Sequence, residues 1–172
     1  MVGAAAMPAY VVARGDAPAA RLRPSPLAGV SDEAWTRFVR ALQVAALGAV
    51  TTARGHVLGC YEMRPLRLGD IGVMRGLRAE TVNGARIWHG DFVPPIPTLE
   101  AFLASRDAQY DALVRSTVLY DADIAPGGAP KELGRAGGLA VLHRAGPKAL
   151  ASWGRRTLPA AAEFAHRAQG IF

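Results

Sequence analysis

Ser31-Asp32-Glu33-Ala34-Trp35-Thr36-Arg37-Phe38-Val39-Arg40-Ala41-Leu42 reads as the opening of a helix, and the fold class follows from it. Serine is a favoured N-cap because its hydroxyl can accept a bond from an amide of the first turn. Asp32 and Glu33 stand where the positive end of the helix dipole favours acids. Trp35, Phe38, Val39, Leu42 and Ala46 fall at i, i+3, i+4, i+7 and i+11, one apolar stripe with a face to bury. The expected helix covers 31–47, with Gly48 as its stop.

The same grammar recurs toward the C-terminus. Pro65 suits the first turn of a short helix over 65–69. Thr98 caps a segment with Glu100 in its first turn, and Ser105 caps a longer helix reaching about Ile124. The stripe of that longer helix is Tyr110, Leu113, Val114, Thr117, Tyr120 and Ile124. Residues 133–145 form a helix rich in small residues, with Gly134, Ala136, Gly137, Gly138 and Ala140. Glycine costs ~1 kcal/mol per helical position relative to alanine, so this many implies close packing on another backbone. Pro147 starts a short helix to Trp153, and Pro159 opens the last, ending near Gly170. Residues 49–63 read as loop or short strand. Residues 76–97, with Trp88, Phe92 and Pro94-Pro95-Ile96-Pro97, read as an irregular extended loop. Ahead of all this, residues 1–30 carry Pro8, Pro18, Pro24 and Pro26 and read as an extended basic arm. The expected fold is therefore mainly α: an arm over 1–30, then one helical domain over 31–172 with an irregular middle segment.

A chain of 172 residues is long enough to bury a core without disulfide or metal support. Cys60 is the one cysteine, so neither an intrachain disulfide nor a cysteine-based zinc site can form. Twenty Lys and Arg against fourteen Asp and Glu leave a net charge of +6, which favours anionic partners. No dense basic run with interleaved aromatics appears, so the pattern does not call for nucleic acid. No stretch approaches a membrane span. Residues 1–13 are apolar but lack a basic start and are broken by Pro8, so they do not read as a signal peptide, and synthesis in the cytoplasm is expected.

Few residue patterns carry chemistry. His56 with Cys60, and His89 with Asp91, do not have the paired spacing of a zinc site, and no cofactor is implied. His143, near Leu139 and Leu142, reads as a structural histidine. No serine stands in a Gly-x-Ser-x-Gly turn, and Cys60 between Gly59 and Tyr61 is most simply a small buried residue. The glycines at 134, 137 and 138 lack the Lys and Ser or Thr of a phosphate loop. Carboxylates remain. Glycoside hydrolysis needs an acid that protonates the leaving oxygen, one buried enough to hold its proton near the working pH. Glu62 alone is embedded in an apolar and aromatic string, Leu58 to Met63, and is the candidate catalytic residue. Its competing role is an ion pair with Arg64 or Arg67, which would pull its pKa down.

Three segments, in order, carry a family resemblance. Gly59-Cys60-Tyr61-Glu62-Met63 followed by 66–72 resembles the Gly-x-Tyr-Gln stretch of phage-type lysozymes and tail-tip muramidases. Phe102-Leu103, Gln109 and Tyr120 resemble the helix of those proteins that bears Phe-Leu, a Gln and a later aromatic. Gly137-Gly138-Leu139-Ala140-Val141-Leu142-His143-Arg144-Ala145-Gly146-Pro147 resembles their late Gly-Leu-Leu-Ala-Ala-Ala-His helix pair. The resemblance implies a lysozyme-like helical domain. It implies as partners the other subunits of a phage tail or related particle, with peptidoglycan as the surface to dock on, and location in a virion or virion-like particle. Tyr61, Trp88 and His89 are the candidate substrate-binding residues, since aromatic faces suit sugar rings.

One departure bears on activity. In the family the catalytic Glu precedes the Gly-x-Tyr-Gln stretch. Here that segment is Val50-Thr51-Thr52-Ala53-Arg54-Gly55, and no acid lies between Glu33 and Glu62. A threonine hydroxyl cannot protonate a glycosidic oxygen near neutral pH. The expected function is thus a structural or wall-docking lysozyme-like component with impaired catalysis. The alternatives are an active muramidase or lytic transglycosylase using Glu62, and an unrelated small helical binding protein.

Overall fold

The structure is a computed structural model that describes residues 23–44, 50–52, 55–124 and 128–172, with the backbone alone for 50–52, 55 and 56. Ser31 caps the first helix, α1 (Asp32–Leu42), its hydroxyl accepting from the Ala34 amide at 3.2 Å. Trp35, Phe38, Val39 and Leu42 are all buried, as the stripe predicts. The helix ends sooner than expected, because Gln43 turns extended and the Val44 amide donates to the Cys60 carbonyl at 2.6 Å. Ala46 and Gly48 lie outside the described residues.

Strands β1 (Val50–Thr52) and β2 (Gly55–Val57) form a small antiparallel pair, with Val50 opposite Val57. The short helix α2 (Pro65–Asp70) follows, with proline in its first turn. Residues 76–97 are not irregular as expected. They belong largely to an antiparallel ribbon of β3 (Met74–Val82) and β4 (Ala85–Phe92). The cause is Asn83-Gly84, both at positive φ, 50° and 78°. A two-residue turn with both central residues left-handed matches the twist of paired strands. The strands alternate poorly in burial because most of β3 is exposed on both faces, which hid them from a periodicity reading.

The helical part follows the predicted punctuation. Thr98 accepts from Ala101 N to start α3 (Leu99–Ala104), and Ser105 accepts from Ala108 N at the head of α4 (Arg106–Ile124). Then come α5 (Gly134–Ala145), α6 (Pro147–Ala151) and α7 (Pro159–Ala168). The mainly α class holds, with two small antiparallel sheets added among the described residues.

Helix α5 runs through the middle and packs on α4, α6 and α7, with every residue from Ala136 to His143 buried. Gly138 lets the loop ahead of the helix and the end of α4 lie close: a Cβ there would stand 2.6 Å from the Ala129 Cβ and 3.4 Å from Ile124 Cδ1. The main core joins Trp35, Phe38, Leu68, Phe102, Tyr110, Leu113, Tyr120, Leu139 and Phe164. Trp35 Nε1 donates to the Tyr110 hydroxyl at 2.9 Å, so the large ring is buried without an orphaned donor.

The described end of the expected arm, residues 23–30, is docked on the helices. Leu27 and Val30 join the main core, Arg23 pairs with Asp111 and stacks on the Tyr110 ring, and Arg135 donates to the Ala28 carbonyl at 2.8 Å. The remainder of the arm lies outside the described residues. Among the described residues, no helix is long and apolar enough to cross a membrane.

Candidate functional site

The turn over 58–63 is where the chain's distant parts meet. Leu58 and Met63 exchange both backbone hydrogen bonds at 2.8 Å, and the Glu62 amide donates to the Gly59 carbonyl at 3.1 Å. Gly59 has φ 75°, which suits glycine, while Glu62 sits at φ 50°, a conformation with a steric cost for a residue with a side chain.

Among the described residues, three partners hold this turn by its backbone. The Cys60 amide donates to Gln109 Oε1 at 2.7 Å, and Gln109 Nε2 donates onward to the Phe102 and Leu103 carbonyls at 3.1 and 3.0 Å. The Cys60 carbonyl takes the Val44 amide. The Tyr61 carbonyl lies 2.5 Å from His143 Nε2. A carbonyl can only accept, so Nε2 carries the proton and His143 is the Nε2–H tautomer. Burial lowers the His143 pKa to about 4, the bond to Tyr61 opposes that fall, and the cations Arg64, Arg144 and Arg67 add to it. The histidine is therefore neutral at physiological pH, its ring centroid 6.0 Å from that of Phe164 and inclined to it by 28°.

Glu62 is held by its side chain. Its Oε2 stands 3.3 Å from Arg144 Nε, and both side chains are less than one-fifth exposed. The contact is one of charge, since Nε is not aligned for a hydrogen bond. The acid does form an ion pair, but neither Arg64 nor Arg67 is the partner. Arg64 donates to the Tyr120 hydroxyl at 2.6 Å and to the Leu142 carbonyl at 3.3 Å. Its guanidinium lies against Gly146, where a Cβ would come within 2.9 Å of it. Arg67 is buried, bonded to Ser116 Oγ and the Ser116 carbonyl and stacked 3.4 Å from the Tyr120 ring centroid.

The remaining predicted site residues are not gathered around Glu62. Tyr61 is 2% exposed, so its ring has no open face for a sugar, and burial raises its hydroxyl pKa. Trp88 and His89 are neighbours on β4 and project to opposite faces of the ribbon. Trp88 carries Arg86 over its ring at 4.9 Å, and His89 Nε2 approaches Glu80 Oε2 at 3.0 Å. Cys60 is fully buried, as expected, its thiol pKa raised by burial against the opposing influence of Arg106. The side chain of His56 is outside the described residues. Among the described residues, no group of three His, Cys, Asp or Glu side chains could hold a metal ion.

The chain matches no family model, no curated protein and no solved structure. The case for function therefore rests on the turn itself. Gln109, His143 and Arg144 bind it from α4 and α5, and each belongs to one of the segments that carry the resemblance. Gln109 and His143 stand out in the sequence, but no local pattern links them to Cys60 or Tyr61. Arg144 had no local signal at all, standing 82 residues from its acid.

Proposed function

We propose that this chain is a lysozyme-like component of a phage tail or related particle, structural or wall-docking, that does not hydrolyse glycan. The observation that carries the reading is the Glu62–Arg144 pair. The one carboxylate on the 58–63 turn faces a permanent cation and ties the turn to α5. A general acid must instead be held protonated near the scissile oxygen. Two further features support the reading. The three segments that resemble phage-type lysozymes converge on this turn through Gln109 and His143. A net charge of +6 suits an anionic wall polymer as docking surface.

The test is turnover of purified, insoluble peptidoglycan by the full chain, followed as soluble sugar fragments released. The expected result is no release above a protein-free blank, from the natural chain and from Glu62→Gln alike. Release at a rate that Glu62→Gln abolishes would establish the competing reading, a muramidase or transglycosylase that uses Glu62. Release that survives the substitution would equally overturn the proposal and would place the acid elsewhere.

A further inference from the structure

Helix α4 is apolar on two faces. Its inner stripe, Tyr110, Leu113, Thr117, Tyr120 and Ile124, is buried. On the other side Arg115, Val118, Leu119 and Ala122 stand at i, i+3, i+4 and i+7, and all four are exposed. A helix with a single face to bury carries polar residues on the opposite one. Here Val118 is 43% exposed and Leu119 39%. Among the described residues, the one other large apolar side chain left so open is Leu66, at 40%, on α2, and α2 packs against α4. The open apolar residues are thus gathered on two neighbouring helices, and a gathered patch marks a contact surface where single scattered residues would not.

The charges along the stripe say what covers it. Asp111 pairs with Arg23, and Asp121 with Arg135. Asp123 is exposed and forms no ion pair among the described residues. Arg115 is exposed too, and it donates to the Ile71 carbonyl, a neutral acceptor that leaves its charge uncompensated. These two open charges have opposite signs, and they lie on either side of Leu119 at equal sequence distance. Each is about 6 Å from Leu119 along the helix axis, in opposite directions. A second α4 laid antiparallel on the first, with the twofold axis at Leu119, therefore sets each Arg115 level with the second copy's Asp123. Laid parallel and in register, the same helices set arginine against arginine and aspartate against aspartate. Val118, Leu119 and Ala122 fill the antiparallel seam, and a symmetric contact of this kind needs only the one self-complementary patch.

We propose that the outer face of α4 is the contact of a symmetric antiparallel homodimer, with Leu119 on the twofold axis and Arg115 paired with the second copy's Asp123 on either side of it. The proposal does not depend on the wall-docking reading.

Sedimentation velocity of the full chain over a wide range of concentration tests it, with thermal melts to show that each variant is folded. The expected result is a monomer–dimer equilibrium. Leu119→Glu places two like charges on the axis and should raise the dimer Kd about tenfold or more. Asp123→Arg sets arginine against arginine twice and should do the same, while Asp123→Asn, which removes the pairs without repulsion, should weaken the dimer less. Arg115→Glu combined with Asp123→Arg restores opposite charges in the antiparallel register and should return much of the lost affinity. A natural chain that stays monomeric throughout overturns the proposal and leaves the stripe to another partner. A dimer indifferent to Leu119→Glu places the contact elsewhere. A dimer that Leu119→Glu breaks, but that Asp123→Arg leaves intact or that a folded charge-swap variant does not restore, contradicts the antiparallel arrangement.

Discussion

Gln109→Leu should lower the stability of this domain by about 3 kcal/mol or more, because it strands buried polar groups. The carboxamide is 1% exposed and works in both directions. Its oxygen takes the Cys60 amide, and its nitrogen serves the Phe102 and Leu103 carbonyls at the end of α3. Leucine has a similar volume, so packing is largely kept and the effect isolates the hydrogen bonds. An unsatisfied buried donor or acceptor costs about 1–3 kcal/mol, and Cys60 is fully buried. For a chain of this size the loss corresponds to a fall in Tm on the order of 10 °C. Gln43→Ala, at an exposed position, is the control and should stay within about 0.5 kcal/mol of the natural chain. Equilibrium urea unfolding measures both. Equal midpoints for the two variants would mean that the turn is not held from α4.

Acid should weaken the fold in a window that His143 sets. Its pKa is about 6.5 in the unfolded chain and is lowered to about 4 in the fold, first by burial and then by Arg64, Arg144 and Arg67. The unfolded state therefore takes up the proton first as pH falls. Stability from this group is complete above pH 6.5 and declines as pH drops toward 4, by roughly 3 kcal/mol if the full difference is realised. The groups facing the ring are the Tyr61 carbonyl, the Phe164 ring and those three guanidiniums. None of them takes up a proton in that interval, so the part of the slope that a substitution at His143 removes belongs to the imidazole itself. His143→Gln can still donate to the Tyr61 carbonyl and has no charge to gain. It should flatten the curve across that interval, with a lower plateau at neutral pH. An unchanged slope in the variant would show that another group governs acid sensitivity.

The parts of the fold that sequence revealed are those written in local chemistry. Ser31, Thr98 and Ser105 announce helix starts through a hydroxyl three residues from the amide it takes. Pro65, Pro147 and Pro159 do so through a fixed φ. The ribbon was also written locally, in Asn83-Gly84, but its strands lack the alternation that would have confirmed it. The proline cluster at 94–97 lies just past β4 and drew the reading toward a loop. What no local pattern could give is the choice of partner. Arg64 and Arg67 are near Glu62 in sequence, yet Tyr120, Leu142 and Ser116 hold them, while Arg144 arrives from α5. Such a pairing depends on two helices and a turn meeting, and it appears only once α5 has been threaded through the core. The same holds for Tyr61, an aromatic that suits a sugar by type and is interior by position.

The central claim is that Glu62 serves the fold. A double-mutant cycle on Glu62 and Arg144, read by urea unfolding at pH 7, tests it most directly. Glu62→Gln and Arg144→Gln keep the shapes and remove the charges, and Gln at position 62 leaves the positive φ in place. The account predicts that each substitution destabilises the domain by about 1–2 kcal/mol and that the pair together costs less than the sum, a coupling of about 1 kcal/mol. An acid retained for chemistry at the expense of the fold behaves in the opposite way. If Glu62→Gln raises the midpoint and shows no coupling to Arg144, the structural role assigned to this residue is contradicted.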